Sequence, residues 1–259
     1  MPRFTTSDGL SLRFEDTGGT RPVLLLSNSL GTRLEMWDDQ MPVFSSRYRV
    51  VRYDKRGHGE SELKVGPTGF ARLTRDAVEL LDHLGIARAD WCGLSMGGMS
   101  GMWAGTHHGD RFGKLVLCNT APSMPTADMW NQRIATVKAD GLRPLIPSIV
   151  DRWFTKRFQE AAPQAVARIV AMLETTPPEG YAACSAAIRD MDQREAIRTI
   201  ANPVLVVAGT HDGSTPPARG REIAARIPGA RFVELDAAHL SNIEQTEAFN
   251  AAVFDFLTQ

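Results

Sequence analysis

The sequence predicts an α/β protein: a mostly parallel eight-stranded sheet with helices on both faces and an all-helical insertion. Three observations carry this expectation. Short apolar runs alternate with stretches whose apolar residues recur at helical spacing, the pattern of strands joined by crossover helices. Residues 121–195 interrupt that alternation. They hold several helical patterns but no good buried strand, and Pro122, Pro125, Pro144, Pro147, Pro163, Pro177 and Pro178 punctuate them. Finally, 259 residues with 43% hydrophobic content suffice for one large core. The predicted organisation is a core of residues 1–120 and 196–259, with residues 121–195 as a helical cap above the strand ends.

Each element has its own local reason. Residues 2–17 alternate around Asp8-Gly9 and predict a hairpin with a type I′-like turn. The run PVLLLSN over 22–28 and the run YRVVRYD over 48–54 suit strands covered on both faces, with a helix-like stretch over 33–45 between them. Over 68–84 the apolar residues Phe70, Leu73, Ala77, Leu80, Leu81 and Leu84 predict a helix that Gly85 terminates. A short strand over 90–94 runs straight into small residues and a helix to His108. Strands follow over 114–120, 203–210 and 231–236, with helices over 217–227 and, closing the chain, 243–257.

Composition excludes several function classes. Lys and Arg total 29 against 30 Asp and Glu, and no basic block stands out, so a nucleic-acid partner has no electrostatic footprint. No window of 18 apolar residues is present, and the first ten residues lack an apolar run of signal-peptide length, so no membrane association and a cytoplasmic protein are expected. Cys92, Cys118 and Cys184 cannot all pair with one another, and two of them lie in predicted buried strands, which fits small apolar thiols in a reducing compartment. The six histidines are scattered without Cys/His ligand spacing, so neither a metal nor a cofactor is expected. No residue pattern speaks to an oligomeric state.

The chemistry centres on Gly93-Leu94-Ser95-Met96-Gly97-Gly98, which follows a strand and opens a helix. A nucleophile on so sharp a turn needs a strained backbone, and only small residues at i−2 and i+2 leave room for it; this is the G-x-S-x-G pattern. A serine hydroxyl needs a base. His239 lies just past the last predicted strand, and Asp212 lies at the end of the strand before it. In a parallel sheet these strand ends share one edge, so Ser95, Asp212 and His239 are expected to converge. Asp212 would orient His239, which would take the Ser95 proton and return it to the leaving group. His211 competes for the base role but precedes the acid position. His107 and His108 are expected to interact with the C-terminal dipole end of the helix after Ser95. The oxyanion donors are expected to be Met96 N–H, at a helix N-terminus, and Leu30 N–H, in the loop after PVLLLSN. The turn from Asp54 through Gly57 and Gly59 to Ser61 reads as structural.

With these motifs in place, the chain resembles the α/β-hydrolases over essentially its whole length. The segments N-S-L-G, D-x-R-G-x-G-x-S, G-L-S-M-G-G, G-x-x-D and D-x-A-H match in order. Within that superfamily it is most similar to bacterial 3-oxoadipate enol-lactonases, through Ser27–Thr32 with Met36-Trp37-Asp38, Tyr53–Gly59, Cys92–Gly98 and Asp151-Arg152-Trp153-Phe154-Thr155. The resemblance implies a small-molecule substrate, the five-membered enol-lactone of 3-oxoadipate with its acetate arm, opened through an acyl-enzyme on Ser95. A free carboxylate on the substrate demands a cation near the pocket. The insertion offers Arg133, Lys138, Arg143, Arg152, Lys156 and Arg157, with Arg133 the first choice. Trp130 and Trp153 are candidates to line the pocket, although Trp153 also sits in an apolar cluster with Ile149, Val150 and Phe154.

Three other readings remain open at the level of sequence. A carboxylesterase or C–C hydrolase of the same scaffold would keep the triad and change the pocket. A non-catalytic ligand-binding member would turn over no activated ester. A cofactor-free perhydrolase activity would be a side reaction of the same serine. Haloalkane dehalogenase and epoxide hydrolase chemistry is disfavoured, because those enzymes carry Asp where Ser95 stands.

Overall fold

A computed structural model describes residues 2–64, 66, 68–124 and 126–259. Pro125, among the prolines expected to punctuate the insertion, lies outside the described residues. The strands are β1 (Arg3–Thr5), β2 (Ser11–Asp16), β3 (Val23–Ser27), β4 (Arg49–Tyr53), β5 (Ala89–Leu94), β6 (Phe112–Cys118), β7 (Val204–Gly209) and β8 (Arg231–Leu235). They form one eight-stranded sheet in the order β1-β2-β4-β3-β5-β6-β7-β8. The β1/β2 and β2/β4 pairs are antiparallel, and every other pair is parallel. The expected fold class is therefore the observed one.

The helices are α1 (Met41–Phe44), α2 (Phe70–His83), α3 (Met96–His107), α4 (Ala127–Asp140), α5 (Ile146–Trp153), α6 (Lys156–Ala161), α7 (Pro163–Thr175), α8 (Pro178–Arg189), α9 (Pro217–Arg226), α10 (Ser241–Glu244) and α11 (Thr246–Thr258). Among the described residues no helix is long and apolar enough to cross a membrane. Leu24, Leu25 and Leu26 of β3 and all six residues of β7 are buried. Consecutive buried residues on a strand point to opposite sides, so both sheet faces are covered. Each such leucine contributes about 1.5–3 kcal/mol by leaving water. Helices α4 to α8 lie between β6 and β7 in the chain. The two ends of this stretch meet where Ser123 and Asp192 form an antiparallel bridge and Gln193 N–H donates to Pro122 O at 2.8 Å.

Three local expectations differ from the structure. The β1/β2 hairpin does not close on a two-residue type I′ turn. That turn needs positive φ at two adjacent residues, whereas here only Gly9 is left-handed (φ 87°). Gly9 N–H donates to Thr6 O and Thr6 N–H to Leu10 O, so the loop is three residues long. Thr6 Oγ1 donates to Asp8 Oδ1 at 2.7 Å, which holds Asp8 in its turn. The helix-like stretch over 33–45 divides into a single 3₁₀ turn (Leu34–Trp37) and α1. The closing helix is broken at Gln245 (φ −127°, ψ 52°), leaving α10 as a separate turn. That turn holds Glu244, which bonds away from its own helix.

Register brings the strand ends to one edge. Ser27 lies beside Gly93, Leu94 beside Cys118, Cys118 beside Val207, and Gly209 beside Leu235. The next residues along each strand therefore emerge together: Asn28, Ser95, Asn119 and, three and four residues past the ends of β7 and β8, Asp212 and His239.

Candidate active site

Ser95 caps α3 with φ 57° and ψ −115°, a left-handed conformation that costs a non-glycine residue of order 1–3 kcal/mol. The surroundings hold it there. Ser95 N–H donates to Cys118 O at 2.8 Å, and Ser95 O accepts Thr120 Oγ1 at 2.8 Å and Met99 N–H at 3.0 Å. The flanking glycines explain why the turn fits. A Cβ on Gly93 would lie 2.2 Å from Gly97 O, and one on Gly97 would lie 1.9 Å from Ser27 O.

These contacts are to backbone, which cannot swing aside. Gly97→Ala is thus expected to destabilise by about 3 kcal/mol or more, at the upper end of overpacking costs. Gly69, where a Cβ would meet nothing within 4 Å, provides the comparison: Gly69→Ala should shift stability by about 1 kcal/mol at most. Urea midpoints of the two variants check this, and similar midpoints would refute the packing account.

Asp212 and His239 meet in a buried pair, Asp212 Oδ2 to His239 Nδ1 at 2.8 Å. Asp212 Oδ1 accepts Ser214 N–H (2.7 Å) and Thr215 N–H (2.8 Å), while Oδ2 also accepts Thr215 Oγ1 (2.8 Å) and Asn119 Nδ2 (3.1 Å). Burial by itself would raise the Asp212 pKa. The His239 charge and hydrogen bond, with the Thr215 donors, outweigh it and hold the carboxyl below its ordinary range. An ionised partner at Nδ1 assigns the proton to that nitrogen and leaves Nε2 as the acceptor. Ser95 and His239 line one small cavity, with about 40 Å³ of water-accessible space. Among the described residues, no Ser95–His239 hydrogen bond within 3.5 Å accompanies the Asp212 pair. Such contacts commonly tighten only when substrate is bound.

Leu30 lines the same cavity, and Met96 opens α3, where the first N–H groups have no intrahelical acceptor. The Leu30 loop is anchored from behind. Asn28 donates from Nδ2 to Tyr53 O at 2.9 Å and accepts Trp37 Nε1 at 2.9 Å, and its carbonyl accepts Lys55 Nζ at 2.5 Å. Lys55 is fully buried, and that burial pushes its pKa down to about 7. The Asp54–Ser61 turn is internally bonded: Asp54 accepts Leu34 N–H and Glu60 N–H, and Ser61 Oγ donates to Asp54 O. Arg56 within it bonds the buried Asp76 through two nitrogens at 2.6 Å.

The other singled-out residues separate clearly. Trp130, Arg133 and Trp153 line the cavity, and the Trp153 ring lies 5.9 Å from the His239 ring, tilted by 30°. Lys156 pairs with Asp151 and Arg157 with Asp236, Arg143 and Lys138 are exposed, and Arg152 adjoins the loop after Asp212. His211 is exposed, bonds Asp236 at 2.8 Å and is not in the cavity lining. His107 stacks on Trp103 at 4.2 Å, so ring packing accompanies its place in the last turn of α3. The three cysteines are buried free thiols.

Two residues not expected from the sequence organise the site. Asn119, held at φ 44°, donates to both Asp212 Oδ2 and Ala238 O (3.2 Å) and accepts Ser241 Oγ at 2.6 Å. It ties the loop of Asp212 to the loop of His239. Glu244 accepts Ala238 N–H at 3.0 Å and Thr155 N–H at 3.2 Å, and Thr155 Oγ1 also donates to it. With Leu240 N–H donating to Trp153 O at 3.1 Å, it fastens the His239 loop to the helical insertion. A single hint was readable for each: a polar residue at a strand end, and an acid a few residues past the histidine.

Known proteins share this architecture. A family profile described as alpha/beta hydrolase fold matches residues 22–246. The chain is 40% identical to 3-oxoadipate enol-lactonase 2 of Acinetobacter baylyi, over 96% of this chain and 93% of that one. It is 37% identical to 3-oxoadipate enol-lactonase 1 of the same organism, over 95% and 92%. The crystal structure of the enol-lactonase from Burkholderia xenovorans LB400 superposes with a TM-score of 0.97 at 43% identity, covering all of both chains.

Proposed function

The chain belongs to the α/β-hydrolase fold family, and from that premise we propose that it hydrolyses the enol-lactone of 3-oxoadipate to 3-oxoadipate in the cytoplasm. The observation that carries the reading to a small acidic lactone is the lining of the Ser95 cavity. It is narrow, and among the described residues Arg133 is the one Lys or Arg in its lining, beside apolar groups, hydroxyl groups and His239. A lipid or bulky ester would need a wide apolar pocket. Residues 121–195 serve as a cap over a core of 1–120 and 196–259, with Trp130, Arg133 and Trp153 meeting the substrate.

The mechanism follows from the residues. His239 Nε2 takes the Ser95 hydroxyl proton as Oγ bonds to the lactone carbonyl carbon. The carbonyl oxygen becomes an anion held by Leu30 N–H and Met96 N–H. When the tetrahedral centre collapses, the ring C–O bond breaks and the enolate oxygen leaves, taking the proton from His239. That enol stays tethered to the acyl chain and tautomerises to the ketone. Water then attacks the acyl carbon, giving its proton to His239, and Ser95 Oγ leaves and is reprotonated. Asp212 stabilises the imidazolium in both halves. Collapse with ring opening is favoured because an enolate is a much better leaving group than a simple alkoxide.

The test is ultraviolet loss of the enol-lactone by purified protein, beside hydrolysis of a simple neutral aryl ester. We expect a kcat/KM for the lactone higher by about 100-fold or more, the scale of a well-matched polar contact plus orientation. Aryl ester cleavage without lactone turnover would leave the serine chemistry and reject this substrate. Turnover of neither would favour a ligand-binding role.

A further inference from the structure

We propose that Arg152 and Arg133 together form a two-guanidinium clamp for the carboxylate of a small lactone or ester bound at Ser95. The proposal deepens the lactonase reading and rests on it for the identity of the natural ligand. The first observation is an electrostatic imbalance. Among the described residues, the buried or partly buried arginines Arg13, Arg52, Arg56 and Arg168 are each paired with a carboxylate. Arg133 and Arg152 are partly buried too, yet neither has a carboxylate within ion-pair distance. The cavity wall contributes no Asp or Glu side chain. Asp151, the acid next to Arg152 in sequence, is already engaged by Lys156 at 2.5 Å.

The second observation is placement. Arg133 on α4 lies over the Trp130 ring at 5.0 Å, and its Nη1 donates to Tyr181 Oη at 3.3 Å. Tyr181 is buried and lines the cavity. Arg152, on α5 beside the cavity-lining Trp153, stands just behind that lining rather than in it. Its Cγ lies 3.3 Å from where a Gly213 Cβ would stand, so its stem runs over the loop that joins Asp212 to the cavity-lining Ser214. Gly213 is what lets it do so. The two charges feel one another: burial, and then the positive charge of Arg133, draw the Arg152 pKa below its ordinary value.

Two like charges near a low-dielectric cavity raise the free energy of the unliganded protein. An anion between them relieves that cost, and a guanidinium fork matches a carboxylate better than an ammonium does. The small cavity restricts the anion to one carried on a short arm. One carboxylate leaves a net positive charge on the clamp. The diacid product, and other short dicarboxylates, should therefore occupy it as well and act as inhibitors.

The experiment uses adipate, an unreactive six-carbon dicarboxylate, against hydrolysis of a neutral aryl ester, so the readout does not require the enol-lactone to be the substrate. Adipate is expected to inhibit competitively, dimethyl adipamide to inhibit far less, and Arg152→Gln to raise the adipate inhibition constant by about tenfold or more. Arg152→Lys, which keeps the charge and loses the fork, should fall between. In the same variants the kcat/KM ratio of enol-lactone to aryl ester should drop about tenfold or more, chiefly through KM. Adipate inhibition that is absent, or unchanged in Arg152→Gln with the thermal midpoint retained, overturns the clamp. If Arg152→Gln loses its fold, the Lys variant decides, with an adipate constant equal to that of the parent protein counting against the clamp. Enol-lactone turnover that is fast yet indifferent to Arg152 rejects the clamp and keeps the lactonase reading. Adipate inhibition that depends on Arg152, without lactone turnover, does the reverse.

Discussion

Ser95→Ala is expected to lower enol-lactone turnover by about 10⁶-fold, the scale seen when a triad serine is removed from another hydrolase. The size follows from geometry. Ser95 supplies the one hydroxyl that sits on the left-handed turn, its backbone pinned by Cys118 and Thr120. Removing Oγ leaves the turn, both proposed oxyanion donors and the Asp212–His239 pair in place. What remains is a site able to bind and polarise the lactone, worth about 10³-fold over water. Stopped-flow absorbance with the parent and variant proteins checks the loss, and circular dichroism with a thermal midpoint checks that the fold is retained. A correctly folded Ala variant with a tenth of the parent activity would remove Ser95 from the mechanism.

Asp212→Asn is the second large effect, expected at about 10⁴-fold in kcat. Here the fold survives and the proton is misplaced. Asp212 Oδ1 accepts two backbone N–H groups, from Ser214 and Thr215. An amide must put its oxygen there, because an NH₂ would face two donors. Its NH₂ then takes the place of Oδ2, which now accepts His239 Nδ1, Thr215 Oγ1 and Asn119 Nδ2. His239 is driven to carry its proton on Nε2, where it cannot accept one from Ser95. The imidazolium also loses its counter-charge. Because the defect is in the tautomer, raising the pH should not restore the rate of the parent protein. A pH–rate profile of the folded variant tests this, and a kcat within tenfold of the parent would show that Asp212 does not orient the base.

The elements most readable from sequence are those set by local pattern. The run PVLLLSN announces a strand buried on both faces and the run over 203–210 a strand, and β3 and β7 are both buried on both faces. Gly93 and Gly97 announce a turn with no room for side chains, and the clearances of 2.2 and 1.9 Å supply the reason. Less readable are features that rest on a few local bonds. The β1/β2 turn took a three-residue form because Thr6 and Gly9 close it. The last helix broke at Gln245, beside the Glu244 that bonds Ala238 and Thr155 instead of continuing a smooth helix.

By itself the sequence determined the parallel sheet, the order of its elements, the helical stretch between β6 and β7, and which serine, acid and histidine lie at strand ends. These are consequences of period, turn chemistry and strand polarity, all of which act over a few residues. Only the tertiary structure decided how those strand ends are fastened together. Asn119 reaches residues 93 and 119 positions further along the chain, and Thr155 reaches Glu244 across 89. It also decided which cations of the helical insertion are spent on neighbouring acids and which, such as Arg133 in the cavity lining and the partly buried Arg152, are left without one. A charge reads the same in sequence whether it is paired or not; only folding brings its partner near or withholds it.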